Sequence, residues 1–350
     1  MLILKTRKNN MKILSYFYLF LYRFNLFLFK VGFKKQYSFE TFVISIGNLT
    51  VGGAGKTPMT IYLSKLLLSR KIKHTIVSRG YKKNKAGTFV VSGLDSGKFS
   101  ADDCGDEPYL LKKELKNTPV IVGKKNKAID LSTKTFGAPV VLLDDGFQSY
   151  SILKNLNILL VDLSRPKKDY FLLPFGLLRE PLYQSKNADI VIFTKCNHKS
   201  PDAKNIKNNI IKNSGLDVSC VFDADFVSCI KRFSFNTRKF IKYKKIISEP
   251  CVAFSGIANP FVFNQSVKAF CIQAQTISFS DHQSYKKKHI QRIKKSLHKI
   301  KSKNIITTLK DFYKVVDYFN GYNVFVLNIE HHIKNEKKFK EIFLNKIKAT

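Results

Sequence analysis

The stretch Thr50-Val51-Gly52-Gly53-Ala54-Gly55-Lys56-Thr57 constrains the fold of this chain more than any other. It follows an apolar, β-branched run at 42–46 (FVISI) and precedes a helical pattern beginning near Pro58. A strand, a glycine-rich turn and a helix in that order make a phosphate-binding loop. The glycines let backbone N–H groups curl toward an anion, and the helix N-terminus adds its positive end. Proline is accepted in the first helical turn, where its missing N–H is not needed. Lys56 is placed to neutralise the β- and γ-phosphates of a nucleotide, and Thr57 to offer its hydroxyl to Mg2+. Thr50 stands where the general pattern has glycine. Taken alone, Gly-Lys-Thr after two glycines could be a solvated turn; the strand before it and the helix after it favour nucleotide binding.

The rest of the chain supplies a matching frame. Short apolar runs recur at 74–78, 119–123, 139–143, 157–162 and 189–193, with helical stretches at 58–70, 106–116 and 125–136. Runs that are apolar throughout suit strands buried on both faces of a parallel sheet. The expectation is an α/β fold with a P-loop NTPase-type, doubly wound, mostly parallel sheet. A polar, Lys/Asn-rich stretch at 200–216 and a strand-rich connector at 221–249 precede further strands at 251–255, 304–308 and 323–327. Helical segments are expected at about 284–300 and 332–347. The predicted organisation is an N-terminal helix (1–35), a P-loop domain (36–221) and a smaller α/β domain (222–350) that contributes to an active-site cleft.

Three groups of titratable residues invite chemistry. Asp144-Asp145 closes the apolar run 139–143, and an acid at the carboxyl end of such a strand beside a P-loop is placed to hold Mg2+. An ordinary Asp-Asp-Gly turn is the alternative. Asp106 and Glu107 open a helix after a polar loop; on these residues alone they read as first-turn acids that favour the helix dipole. Asp281-His282-Gln283 precedes a helical segment, and a carboxylate beside an imidazole suits proton removal near neutral pH. An isolated loop histidine is more often idle.

Residues 13–31 (ILSYFYLFLYRFNLFLFKV) are the most apolar in the chain. Nineteen helical residues would cover about 28 Å, nearly a hydrocarbon core. Arg23 and Asn25 near the middle oppose a span, since a central Arg costs about 2.5–3.5 kcal/mol and each Leu, Ile or Phe returns about 0.3–0.6. A helix lying in the headgroup layer, with Lys12, Arg23 and Lys30 reaching phosphates, fits better. No alanine precedes Ala54, so the small-residue cleavage site of an export signal is lacking. A buried core helix is the other reading. The net charge of +36 implies an anionic partner, yet most of it is scattered Lys that a solvated face would also carry. The six Cys show no C-x-x-C spacing, so neither a zinc site nor a disulfide framework is expected.

Taken together the motifs resemble the tetraacyldisaccharide 4'-kinase family over nearly the whole chain. The matching stretches begin with the apolar N-terminal segment, Ile46-Gly47-Asn48-Leu49 with the loop through Pro58, and Ser78-Arg79-Gly80-Tyr81. Gly105-Asp106-Glu107-Pro108, Asp144-Asp145-Gly146-Phe147-Gln148, Leu173-Pro174-Phe175-Gly176 and Leu178-Arg179-Glu180-Pro181 follow. Ser255-Gly256-Ile257-Ala258-Asn259-Pro260 and Asp281-His282-Gln283 complete the set. Thr50 at the head of the loop is usual in this family. The resemblance implies transfer of the γ-phosphate of ATP to the 4'-hydroxyl of tetraacyldisaccharide 1-phosphate, giving lipid IVA and ADP in lipid A biosynthesis. The implied setting is the cytoplasmic face of the inner membrane, with a peripheral, monomeric enzyme that uses ATP and Mg2+ and binds no nucleic acid.

It further implies Asp106 as the base, paired with His282; Asp144 and Asp145 as positioning residues for Mg2+ and water, Asp145 being counted among the catalytic groups; Thr50 to Thr57 as the ATP site; and Glu107, Gln148, Arg179 and Glu180 around it. Ser149 departs from the family's usual His, Leu309 from a Glu, and the run Lys124-Lys125-Asn126-Lys127 stands where an Arg is expected. Two other classes compete: a P-loop NTPase that binds nucleic acid, and a membrane-associated switch. Sparse Arg and the absence of a nucleic-acid module weigh against the first.

Overall fold

The computed structural model describes residues 2–92, 99–257 and 260–348; of the sequence motifs, Ala258 and Asn259 lie outside the described residues. The chain forms two compact units, Met1–Phe226 with His331–Thr350, and Val227–Glu330. The first runs through α1 (Leu2–Lys30), β1 (Phe42–Asn48), α2 (Lys56–Ser69), β2 (His74–Ser78), β3 (Phe89–Ser92), α3 (Ala101–Cys104), α4 (Asp106–Glu114) and β4 (Val120–Val122). It continues with α5 (Lys125–Phe136), β5 (Val140–Asp144), β6 (Leu156–Asp162), β7 (Ile190–Thr194) and α6 (Ala203–Ser214). The chain leaves along β8 (Val221–Ser234) and, after the second unit, returns along β13 (Asn323–Ile333) into α10 (Glu336–Lys348).

In the first unit the strands lie in the order β8-β7-β6-β1-β5-β2-β4-β3. All pairs are parallel except β3 with β4. Every residue of β1 is buried, which a strand achieves only when both faces of its sheet are covered. Ile44 and Ile46 point into one core with Met59, Leu63 and Leu67 of α2 and Phe339 and Phe343 of α10. Val43, one residue out of phase, points into the other with Ala128 and Ile129 of α5. The alternation follows from the two-residue period of a strand. The doubly wound α/β architecture expected from the apolar runs is therefore present.

The second unit adds β9 (Lys239–Lys242), β10 (Cys251–Ser255), α7 (Pro260–Lys268), β11 (Ala274–Ser278), α8 (Lys287–Lys299), β12 (Asn304–Thr308) and α9 (Leu309–Val315). Its order is β11-β10-β12-β13-β8, with β9 antiparallel on β8. The ladders linking β10, β11, β12 and β13 are parallel. On α8, Ile290, Ile293 and Leu297 are buried at helical spacing against Phe254 and Phe319. Cys251 and Cys271 are joined in a disulfide. Their separation gave no sign of it, because parallel neighbours β10 and β11 bring the ends of the connecting segment together only in the fold.

Helix α1 has two faces. Ser15 donates to the Leu172 carbonyl at 3.1 Å, Tyr18 to the Arg179 carbonyl at 2.7 Å, and Tyr22 meets Tyr150 at 2.7 Å. On the opposite side Ile13, Phe17, Phe20, Phe24, Phe27 and Val31 are exposed at alternating spacings of four and three residues. No helix among the described residues is long and apolar enough to cross a membrane.

Candidate active site

Strand β1 delivers Asn48 to the start of the phosphate loop, and its amide shapes the turn. Asn48 Nδ2 donates to the carbonyls of Thr50 (2.8 Å) and Gly52 (3.2 Å) and to the Thr50 hydroxyl (3.1 Å). Outside contacts hold the same loop: Val51 N–H donates to Leu177 O at 2.7 Å, and Thr194 Oγ1 donates to Ala54 O at 3.1 Å. Gly52 and Gly55 both sit at φ 88°, where a side chain would be strained. Gly55 caps α2, and its carbonyl accepts from Met59 N–H and from His331 Nε2 at 2.9 Å. Burial pushes His331 down to about 4, so the ring is neutral at pH 7. A carbonyl only accepts, so Nε2 carries the proton.

Asp144 ends β5 and is 1% exposed. The hydroxyls of Thr60 and Ser78 reach it at a long 3.4 Å each. Burial, then Glu107 and Asp145, push its carboxyl well above the usual carboxylate range, and Lys56 and Lys125 only partly oppose them. Asp145 takes the left-handed conformation at φ 54°. Its carboxylate lies 3.5 Å from Lys56 Nζ and accepts two bonds from Arg179, Nη1 at 3.0 Å and Nη2 at 2.9 Å. Burial alone would raise it, but Lys56 and Arg179 outweigh burial and hold it well below the usual range. Arg179 Nη2 also donates to Asn48 Oδ1 at 2.7 Å, and Lys56 Nζ to the same oxygen at 3.1 Å. The loop lysine, the second aspartate, the arginine and the strand-end asparagine thus form one hydrogen-bonded cluster.

Around it, Gln148 Nε2 donates to Asn48 O at 2.8 Å. Lys125 donates to the Asp145 carbonyl and to Ser149 Oγ (2.8 Å). Within the basic run, Lys125 is therefore the residue that reaches the aspartate pair, and burial brings it down to about 8. Glu180 is 1% exposed and accepts from Tyr150 at 2.8 Å; burial raises its carboxyl. A cavity of about 430 Å3 is lined by Arg79, Lys124, Lys125 and Gln148 together with Asn25 and Phe29 of α1. Cationic walls beside an apolar helix suit an anion that carries hydrocarbon.

Asp106 and Glu107 occupy the first turn of α4, whose N-cap is Gly105 with no side-chain cap. The capping box in this segment belongs to Ser100 and Asp103, which close the start of α3. Glu107 lies close enough to Asp144 to raise it, which brings the start of α4 to the aspartate pair. In the second unit His282 takes φ 57°, donates its N–H to Gly256 O at 3.2 Å and lies 3.9 Å from Asp281. Asp281 in turn lies 3.6 Å from Lys310. Of the residues expected from sequence, Thr50, Lys56, Asp144, Asp145, Gln148 and Arg179 converge. Asn48 stood in a matching stretch without a role, and Tyr150 and His331 had no signal. A buried amide at the last residue of a strand could have pointed to Asn48.

Comparison with known proteins follows the same lines. A family profile described as Tetraacyldisaccharide-1-P 4'-kinase matches residues 8–348. A Tetraacyldisaccharide 4'-kinase of Flavobacterium psychrophilum is 33% identical over 334 residues, 93% of this chain and 92% of the relative. One from Aquifex aeolicus is 32% identical, covering 94% and 95%. The crystal structure of an "apo" form of LpxK from Aquifex aeolicus in complex with ATP aligns with a TM-score of 0.73 at 27% identity, over 97% of this chain and 99% of that one.

Proposed function

The chain belongs to the tetraacyldisaccharide-1-P 4'-kinase family, and from that premise we propose how its residues divide the work. It phosphorylates the 4'-position of the lipid A disaccharide precursor with ATP. The observation that carries the site reading is the cluster in which Asn48 is shared by Lys56 and Arg179, and Asp145 accepts from Arg179 beside Lys56. In this reading the N–H groups of residues 50–57 and the start of α2 hold the triphosphate. Lys56 leaves Asp145 for the β- and γ-phosphates when they arrive, because a phosphate offers it more negative charge than a carboxylate already shared with Arg179.

A divalent cation fits the aspartate pair. Asp144 is a buried carboxyl near two further carboxylates, with two long hydroxyl contacts among the described residues, and Lys56 and Lys125 compensate its ionised form only in part. Mg2+ takes one or two carboxylates together with phosphate oxygens, the number that the Asp144–Asp145 pair offers. Asp144, Asp145 and Thr57 would hold it, and it would neutralise charge on the transferring phosphoryl group. Asp106 accepts the proton of the attacking 4'-hydroxyl as its oxygen bonds to the γ-phosphorus and the bond to ADP breaks. The cavity of Arg79, Lys124 and Lys125 takes the acceptor's 1-phosphate, and Phe29 contacts its acyl chains. Helix α1, with its exposed apolar stripe, lies in the surface of the inner membrane on the cytoplasmic side, where ATP is available. For His282 the resemblance implies a catalytic part, paired with Asp106.

The test is mass spectrometry of purified tetraacyldisaccharide 1-phosphate after incubation with enzyme, ATP and Mg2+. Gain of one phosphoryl group at the 4'-position is expected. ATP consumption with no gain of mass on the acceptor would refute the reading, and stimulation by nucleic acid in its place would favour the competing one.

A further inference from the structure

The tyrosines on the buried face of α1 end on Arg179, which clamps the aspartate cluster, and on its chain neighbour Glu180. Tyr18 donates to the carbonyl of Arg179 at 2.7 Å, the oxygen of the peptide bond joining Arg179 to Glu180. Tyr150 donates its only phenolic proton to Glu180 Oε1 at 2.8 Å. The contact between Tyr22 and Tyr150 at 2.7 Å therefore runs one way: Tyr22 donates, and Tyr150 accepts. The result is a directed chain, Tyr22 to Tyr150 to Glu180, beside a direct bond from Tyr18 to the neighbouring backbone.

The next link is the clamp itself. Arg179 N–H donates to Leu49 O at 2.8 Å, while its guanidinium holds Asp145 through two bonds and Asn48 through two more, to Oδ1 and to the backbone carbonyl. Tyr22 is 9% exposed and Glu180 1%, so water does not readily replace the lost partner of either group. A purely anchoring helix would need apolar contacts with its domain and no such hydrogen bonds. Buried phenols with hydrogen-bond partners fix direction and distance as well as affinity.

We propose that α1 is a positioning element of the phosphotransfer site: Tyr18 directly, and Tyr22 through Tyr150, hold Arg179 and Glu180 where the guanidinium can fix Asp145. The exposed stripe and the tyrosine face belong to one rigid helix, so a lipid surface that seats the stripe also seats the tyrosines. This inference rests on the placement of Asp145 at the transferring phosphate.

The experiment uses the full-length chain with tetraacyldisaccharide 1-phosphate in detergent micelles. Tyr18→Phe and Tyr22→Phe each remove one oxygen and keep the ring; the pair and Asp145→Asn are measured beside them. The double variant is expected to lose about five- to tenfold in kcat and to need severalfold more Mg2+ for half-maximal rate. The acceptor KM, the melting temperature and sedimentation with phosphatidylglycerol vesicles should stay near those of the parent. A rise in acceptor KM alone, with kcat and the Mg2+ requirement unchanged, would overturn the proposal and leave α1 a lipid contact. Parental behaviour of the double variant while Asp145→Asn is crippled would overturn it and leave the site reading standing. Should Asp145→Asn keep the parental rate, both fall.

Discussion

Gly55→Ala puts a number on how the phosphate loop is held from beneath. At φ 88° an L-residue costs about 1–2 kcal/mol by backbone sterics alone. An added Cβ would also lie 2.7 Å from His331 Nε2 and 2.7 Å from Phe226 Cζ, far inside the usual carbon contact of about 3.5–4.0 Å. Neither ring can retreat easily: both are buried, and they pack edge to face with centroids 4.8 Å apart. Overpacking of this kind costs about 1–3 kcal/mol. The sum, about 2–5 kcal/mol, should lower the melting temperature by about 4–20 °C for a unit of this size. The Gly55 carbonyl turns with its residue, so ATP affinity by titration calorimetry should fall at least tenfold. In a His331→Ala background one of the two obstructing rings is gone, and Gly55→Ala should cost less there, with a coupling of about 1–3 kcal/mol. Strict additivity would refute the ring-contact argument. Parental stability and ATP affinity in Gly55→Ala would refute the reasoning altogether.

Three further outcomes are expected. Asp106→Ala should lose about 10²–10⁴-fold in kcat, the usual worth of a general base, with ATP KM within about twofold; a variant that fails by losing ATP affinity would remove Asp106 from that role. Burial and two neighbouring carboxylates raise Asp144, so it is more fully protonated at pH 6 than at pH 8. Mg2+ needs the ionised form, and its apparent affinity should tighten severalfold from pH 6 to pH 8 with a proton released on binding; calorimetry in two buffers reads both, and a pH-independent affinity would contradict the assignment. The triple variant Phe17→Ser, Phe20→Ser, Phe24→Ser removes three exposed rings. At about 1 kcal/mol each for rings half immersed, vesicle partitioning should fall about 10²-fold, and undiminished sedimentation would sink the membrane role of α1.

What the sequence disclosed was chemistry whose geometry is local. Gly52, Gly55, Lys56 and Thr57 sit in one turn, and β1, β5, β6 and β7 announce themselves because burial on both faces demands unbroken apolar runs. Elements with one thin buried stripe stayed hidden: α6 buries Ile206 and Ile210 among lysines and asparagines, and β11 buries only Ile277. Contacts made across long loops were equally silent. His331 meets Gly55 from 276 residues away, and Lys125 meets Asp145 because α5 begins beside the end of β5.

Helix α1 shows why composition alone could not decide its role. Counted by hydrophobicity it is apolar nearly all round, which suggested a surface anchor and left a core helix open. Its asymmetry lies in hydrogen-bonding tips. Ser15, Tyr18, Tyr22 and Asn25 recur at spacings of three and four, so they share one face, opposite the face of Phe17, Phe20, Phe24 and Phe27. Tyrosine buries a ring as readily as phenylalanine does, but its hydroxyl must find a partner. Only the face that meets Tyr150 and the Arg179 backbone supplies one. In a helix built this way the placement of its oxygens, more than its apolar content, determines which side meets Tyr150 and the Arg179 backbone.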